Sequence, residues 1–241
     1  MMLSKNETKY IQSLYHKKQR LQEGLFIAEG AKLLSELLAS DYTIKKIYAV
    51  ASWVQNNPLL LQEIMLVDEA ELQRISNLQT ANQVVAIVQQ KTQCQAPIFT
   101  GKICLVLDGI QDPGNLGTII RIADWFGISQ IICSNNTVEL YNPKVVQSTM
   151  GSFIRTPVFY TDLATTLSNV SVPIFGALLQ GKSIYTIAKP NEAIIVIGSE
   201  GNGISEAILP LITNPITIPK IGGAESLNAA VATGIIVSYL V

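Results

Sequence analysis

The sequence is poor in the residues that bind metals or cross-link chains. Among 241 residues there is one histidine, His16, and three cysteines, Cys94, Cys104 and Cys133, without metal-ligand spacing. No zinc site can be assembled from these, and no disulfide framework is expected. The cysteines read as reduced, buried fillers. Charged residues make up only 15% of the chain against 48% hydrophobic, and the net charge is −1. This balance excludes intrinsic disorder, a charge-laced coiled coil and a surface that is basic all over. No segment reaches the roughly 20 apolar residues of a membrane span, and residues 1–10 lack the apolar core of a signal peptide. A cytoplasmic protein without a membrane partner is expected.

The charge that is present is unevenly spread. Within residues 1–20, Lys5, Lys9, Lys17, Lys18 and Arg20 stand against Glu7 alone, whereas the remainder carries 12 basic and 17 acidic residues. A polyanion would meet the N-terminal segment first; a solvated helix face is the other reading.

Residues 9–23 read as a basic helix, 25–28 as a strand, and Glu29 and Gly30 open a helix through Leu38. A strand over 44–51, helices near 58–64 and 68–75, and the apolar run 84–88 complete a small α/β domain over residues 1–90. The polar, Gln-rich stretch 91–98, with Pro97, reads as a linker. In residues 99–241, strands are expected at 103–107, 130–133, 174–178, 193–198 and 215–218. Helices are expected at 116–126, at 143–150 and from Leu227. Several of these strands are continuous apolar runs, as in parallel strands covered by helices on both faces, so an α/β fold with a mostly parallel sheet is expected. Residues 226–241 carry no charge and are apolar or small all round a helical wheel. Such a helix belongs under other elements or in a subunit interface, and a homo-oligomer is the preferred account.

Three loops carry the candidate chemistry. The first runs from Leu107 through Asp108, Pro113 and Gly114 to Asn115, placed as the N-cap of the next helix. On that helix Leu116, Ile119, Ile120 and Ala123 form a core stripe, with Gly117, Arg121 and Asp124 on the opposite side. Arg121 is then either a solvated arginine or a functional group presented to another surface. The second loop, residues 196–205, holds Gly198, Gly201 and Gly203 around Glu200. Its glycine order is GxxGxG, neither the dinucleotide fingerprint nor a phosphate-binding P-loop, and its bare backbone can approach a ligand closely. Glu200 acts there or caps the following helix. The third, residues 218–234, has Ser226 as a plausible N-cap and Asn228 beside it in the first turn.

Together and in this order, the three loops closely resemble the signature motifs of the SpoU (TrmH) family of RNA ribose 2′-O-methyltransferases. The resemblance covers about residues 103–241, and the stretch 148–152 is also family-like. Residues 1–90, especially 26–30, look like the small ribosomal-protein-like substrate-binding domain that precedes the catalytic domain in some of these enzymes. The resemblance implies a parallel sheet with a C-terminal trefoil knot, S-adenosylmethionine as cofactor and a site shared across a homodimer. It implies catalytic roles for Asn115, Arg121, Glu200, Ser226 and Asn228. The cofactor would be lined by Leu178, Gly198, Glu200, Gly201, Gly203, Ile218, Ser226 and Leu227. The RNA phosphates would fall to Lys5, Lys9, Lys17, Lys18 and Arg20. No metal is implied. Ribosomal RNA, 23S rRNA in particular, is favoured as substrate. Transfer RNA and a non-catalytic RNA-binding protein of the same fold are the alternatives.

Overall fold

The computed structural model describes residues 3–57, 63–92 and 96–241. The chain divides into two compact units, Met1–Thr92 with Tyr141–Ile154, and Gln93–Leu140 with Arg155–Val241.

The first unit opens with two helices, α1 (Lys5–Ser13) and α2 (Lys17–Glu23), in place of the single helix that the basic pattern suggests. Ser4 caps α1 by accepting the Glu7 N–H. The break at residues 14–16 has partners from elsewhere in the unit. The Tyr15 hydroxyl lies 2.9 Å from both Glu29 Oε1 and Ile75 O, and Arg20 Nη1 donates to Leu14 O at 3.0 Å. Arg20 is therefore 1% exposed and serves the interior, which corrects its assignment to RNA phosphates. Lys5, Lys9, Lys17 and Lys18 are exposed.

There follow β1 (Leu25–Glu29), α3 (Ala31–Leu38), β2 (Ile44–Ala49), α4 (Ala51–Gln55), β3 (Ile64–Leu66), α5 (Glu69–Ile75) and β4 (Val84–Gln89). The sheet order is β1-β4-β2-β3. The apolar strand β4 lies antiparallel to both neighbours, and β3 runs parallel to β2. The expected helix near 58–64 falls largely outside the described residues, and its last residue, Ile64, begins β3 by pairing with Ile47. A capping box, Asp68 with Glu71, starts α5.

The second stretch of chain supplies β5 (Ile103–Asp108), α6 (Pro113–Trp125), β6 (Ile131–Ser134), α7 (Pro143–Thr149), β7 (Val158–Thr161), α8 (Leu163–Leu167), β8 (Ile174–Ser183), β9 (Ala193–Gly198), β10 (Asn214–Thr217) and α9 (Ala229–Leu240). Of these, α7 belongs to the first unit. There Phe26 stacks on Tyr141 with ring centroids 4.6 Å apart, and Phe153 meets Phe26 and Tyr42 edge to face.

The other strands form one sheet, β10-β8-β9-β5-β6-β7, in which every adjacent pair is parallel. Its core includes Val106, Ile132, Ile194 and Val196. Cys104 and Cys133 are buried free thiols, and burial pushes their pKa up and keeps them protonated; Cys94 lies outside the described residues. The short β7 and α8 have no counterpart in the sequence reading, because four strand residues and five helical ones do not establish a period. The strand β8 runs five residues beyond Leu178. Its pairing with β10 jumps from Gly176–Pro215 to Lys182–Ile216, so residues 177–181 stand outside the ladder. A Cβ on Gly181 would lie 2.8 Å from Ile216 N. Glycine is what lets the β10 backbone pass there. Among the described residues no helix is long and apolar enough to cross a membrane.

Candidate active site

Strands β5 and β9 are neighbours and end in register, Asp108 beside Gly198. Their following loops leave the sheet side by side at its carboxyl edge, where ligands of parallel α/β sheets bind. The first loop is held from beneath. Gly109 N donates to Ser134 Oγ at 2.8 Å, and the Thr137 hydroxyl lies 2.9 Å from Ser134 Oγ and 3.2 Å from Leu107 O. The buried Asp108 carboxylate accepts the Ser205 N–H at 2.8 Å, tying the two loops together.

The cap of α6 is Asp112, not Asn115. Its Oδ1 accepts the Asn115 N–H at 2.9 Å, and Pro113 follows at the first helical position, where its missing N–H costs nothing. Asn115 sits one turn in, with its side chain free for other work. Likewise the cap of α9 is Asn228, not Ser226: Asn228 Oδ1 accepts from Ala230 N at 3.0 Å and Val231 N at 3.2 Å. Asn228 therefore precedes the helix, which accounts for a polar residue before an apolar run.

These two asparagines and Glu200 form one hydrogen-bonded chain with a fixed direction. The helix N–H groups claim Asn228 Oδ1, so its Nδ2 must face outward, and it donates to Asn115 Oδ1 at 2.9 Å. That in turn aims Asn115 Nδ2 at Glu200 Oε1, to which it donates. Each amide is oriented by the bond at its other end, and the chain terminates on a carboxylate. The three motifs thus meet through Asn115, Glu200 and Asn228. Arg121 and Ser226 stand apart, both exposed, with neither side chain making a hydrogen bond or ion pair to any described residue. Arg121 lies six residues beyond Asn115, about 9 Å along the helix axis. The core stripe of α6 is buried as the pattern requires, and Gly117, one turn before Arg121, is buried with it.

The glycines of the second loop divide by task. Ser199 and Gly203 pair with each other through both backbone bonds, 3.0 and 2.9 Å, and Gly203 has φ +65°. A Cβ on Gly198 would fall on the Gly203 carbonyl, so the turn itself demands that residue. Gly201 is different. Nothing lies within 4 Å of where its Cβ would be, which leaves its bare backbone open to a ligand.

On the other side, the Thr217 hydroxyl lies 3.2 Å from Leu179 O and joins the segment before Ile218 to the one after Leu178. Leu178 and Ile218 are half-buried, while Ser226 and Leu227 are exposed on the stretch before α9. Apolar side chains and an open glycine backbone are what an adenosyl group needs, so the residues present fit S-adenosylmethionine. Among the described residues no cluster of His, Cys, Asp and Glu could hold a metal ion. Asp108 and Asp112 hold the site together without standing out in the motif. The Asp-Pro pair at 112–113 was the available signal for the cap.

The SpoU rRNA Methylase family matches residues 102–238, and the MRM3-like substrate binding domain matches residues 5–86. Over 239 residues the chain is 30% identical to the 23S rRNA (guanosine(2553)-2′-O)-methyltransferase RlmP of Bacillus subtilis, covering 94% of this chain and 92% of that protein. A TrmH-family structure from Porphyromonas gingivalis superposes with a TM-score of 0.89 at 36% identity, over 100% of this chain and 98% of that one. An AdoMet-bound rRNA methyltransferase from Sinorhizobium meliloti gives 0.87 at 28% identity, over 100% and 97%. The chain therefore belongs to the SpoU rRNA methylase family of S-adenosylmethionine-dependent RNA methyltransferases.

Proposed function

We propose that this enzyme methylates a ribose 2′-hydroxyl of 23S rRNA in the cytoplasm, and that it works as a homodimer. The observation that carries the site assignment is the oriented chain Asn228–Asn115–Glu200, which joins all three motif loops. The RNA class rests on similarity to RlmP and on the match of residues 5–86 to a substrate-binding domain. Support for the dimer comes from α9, which buries Ala229, Ala230, Thr233, Ile236, Val237 and Leu240 but leaves Val231 52% exposed. A second copy would cover the open face of this uncharged helix. The trefoil knot belongs to the same reading and rests on the family resemblance.

Bound S-adenosylmethionine would supply an electrophilic methyl group on a sulfonium. The chain must then align an acceptor hydroxyl with it and manage one proton. Gly201 and the loop around it, with Leu178, Ile218, Ser226 and Leu227, line the cofactor side. Glu200 and Asn115 orient the acceptor nucleotide, their own orientation set by Asn228. Arg121 reaches the site of the other subunit, holds the target phosphate and stabilises the developing alkoxide charge. It does so as a fixed cation, because a guanidinium keeps its proton in proteins. Arg121→Lys keeps the charge and loses the planar fork, and a drop in kcat of about tenfold or more with intact RNA binding is expected. Full turnover in that variant would remove the geometric role. Lys5, Lys9, Lys17 and Lys18 attract the RNA backbone.

The test is methyl transfer from labelled S-adenosylmethionine to separated, unmodified ribosomal and transfer RNA, with the product nucleotide identified by mass spectrometry. A 2′-O-methylated nucleotide in 23S rRNA is expected. Methylation of transfer RNA alone would overturn the substrate class, and a methylated base would overturn the reaction.

A further inference from the structure

We infer that Trp125 stacks on an unpaired base of the RNA substrate, beside the nucleotide whose phosphate Arg121 holds. This rests on the function proposed above and narrows it. The RNA must present a single-stranded element at the site, since a base inside a duplex has no free face to offer.

Trp125 is the last residue of α6 and is 84% exposed, whereas the other tryptophan, Trp53, is 3% exposed. Tryptophan is among the residues with the most apolar area to hide. The fold does not use this one: the core face of α6 is complete with Leu116, Ile119, Ile120 and Ala123. Trp125 follows Arg121 by four residues, so the two are neighbours on one helix face, with Cβ atoms about 5–6 Å apart. Aromatic side chains on helices lean toward the N-terminus, the direction in which Arg121 lies from Trp125. Neither side chain is engaged by the other or by any described residue. The local charge suits a polyanion. Asp124, the one acidic neighbour on this turn, is neutralised by Arg155, with Nε 3.1 Å from Oδ1 and Nη2 2.8 Å from Oδ2.

A free guanidinium next to a bare indole is the pairing that grips a phosphate and a base at once. A protein interface would need a broader apolar face. The other exposed residues of α6, Thr118 and Arg121, are polar, so the indole is the one exposed apolar plate on this helix. A nucleobase matches that plate in size and shape.

Two readouts on the intact enzyme decide it, with an unmodified 23S rRNA transcript as the probe. First, Trp53 is buried, so acrylamide-quenchable emission of the RNA-free enzyme should come from Trp125, vanish in Trp125→Phe, and become protected when the transcript binds. Second, Trp125→Ala should raise the KM for the transcript by about tenfold or more, with S-adenosylmethionine affinity and oligomeric state unchanged, and Trp125→Phe should restore most of the loss. Emission already shielded without RNA would show that protein covers the indole and would overturn the inference. An unchanged KM in Trp125→Ala would do the same. A wild-type enzyme that transfers no methyl group overturns the reaction, while the protection of Trp125 on RNA binding still decides the stacking by itself.

Discussion

Asn228 holds two roles in one side chain, and substitution can separate them. Its Oδ1 caps α9 while its Nδ2 fixes Asn115. Asn228→Ser keeps an oxygen that can cap the helix but removes the amide donor; Asn228→Ala removes both. Losing a cap costs about 1 kcal/mol, which in a chain of this size lowers Tm by about 2–4 °C. The alanine variant should show that shift and the serine variant little of it. Both should lose about tenfold or more in kcat, because Asn115 and Glu200 are no longer held in one orientation. A serine variant with wild-type turnover would take the amide chain out of catalysis. The loop glycines separate in the same way. Gly198→Ala collides with the Gly203 backbone and should lower Tm together with cofactor affinity. Gly201→Ala meets open space, so Tm should hold while S-adenosylmethionine binding, read by calorimetry, weakens. Unchanged affinity would mean that the cofactor does not approach Gly201.

Elements were legible where the pattern is local and hidden where a distant partner decides. The apolar runs at 103–107 and 193–198 became parallel strands β5 and β9 because burial on both faces leaves no alternation to misread. The helix over 9–23 split because Tyr15 bonds to Glu29 and Ile75, and Arg20 to Leu14, contacts that no periodicity reports. Both misplaced caps arose because Asn115 and Ser226 are good capping types close to better-placed ones, Asp112 and Asn228. A further distant contact makes α1 sensitive to pH. Glu7 is 2.6 Å from Lys46 Nζ and 2.8 Å from the Tyr48 hydroxyl on β2. The Lys46 hydrogen bond, against a burial penalty and helped by Tyr48, holds the Glu7 carboxyl below its ordinary value. A depressed carboxylate contributes stability above its unfolded pKa, and the contribution is lost as pH falls through the lower folded value. At pH ~7, Glu7→Gln should therefore cost about 1 kcal/mol. In paired thermal melts that gap should close as pH drops below about 4. A gap that stays constant through the acid range would mean that the charge on Glu7 contributes nothing.

For the whole molecule, the sequence shows two α/β patterns on either side of a polar stretch at 91–98, and residues 93–95 of that stretch lie outside the described ones. What it does not show is that Tyr141–Ile154 packs with the first pattern, because a run such as 143–149 reads as a helix without saying which core it joins. The first unit is therefore built from two separate pieces of chain, and the connection between the units is made three times. Tyr141 stacks on Phe26 and lies 3.3 Å, hydroxyl to hydroxyl, from Tyr42, while Lys91 N donates to its oxygen at 2.9 Å. Val145, Val146 and Phe153 are buried in the same unit. A chain cut to residues 96–241 keeps these four side chains and loses what covers Tyr141 and Phe153. Full burial of one large apolar side chain is worth about 1.5–3 kcal/mol. Exposing this group then removes a sum comparable to the roughly 5–15 kcal/mol that holds a domain folded. The truncated chain should come out aggregated, or bind a hydrophobic dye and melt without a cooperative transition. Size-exclusion chromatography and calorimetry of the two chains side by side check this. If residues 96–241 instead run as a single sharp species melting within a few degrees of the full chain, the segment Tyr141–Ile154 has a second resting place and the first unit is an appendage.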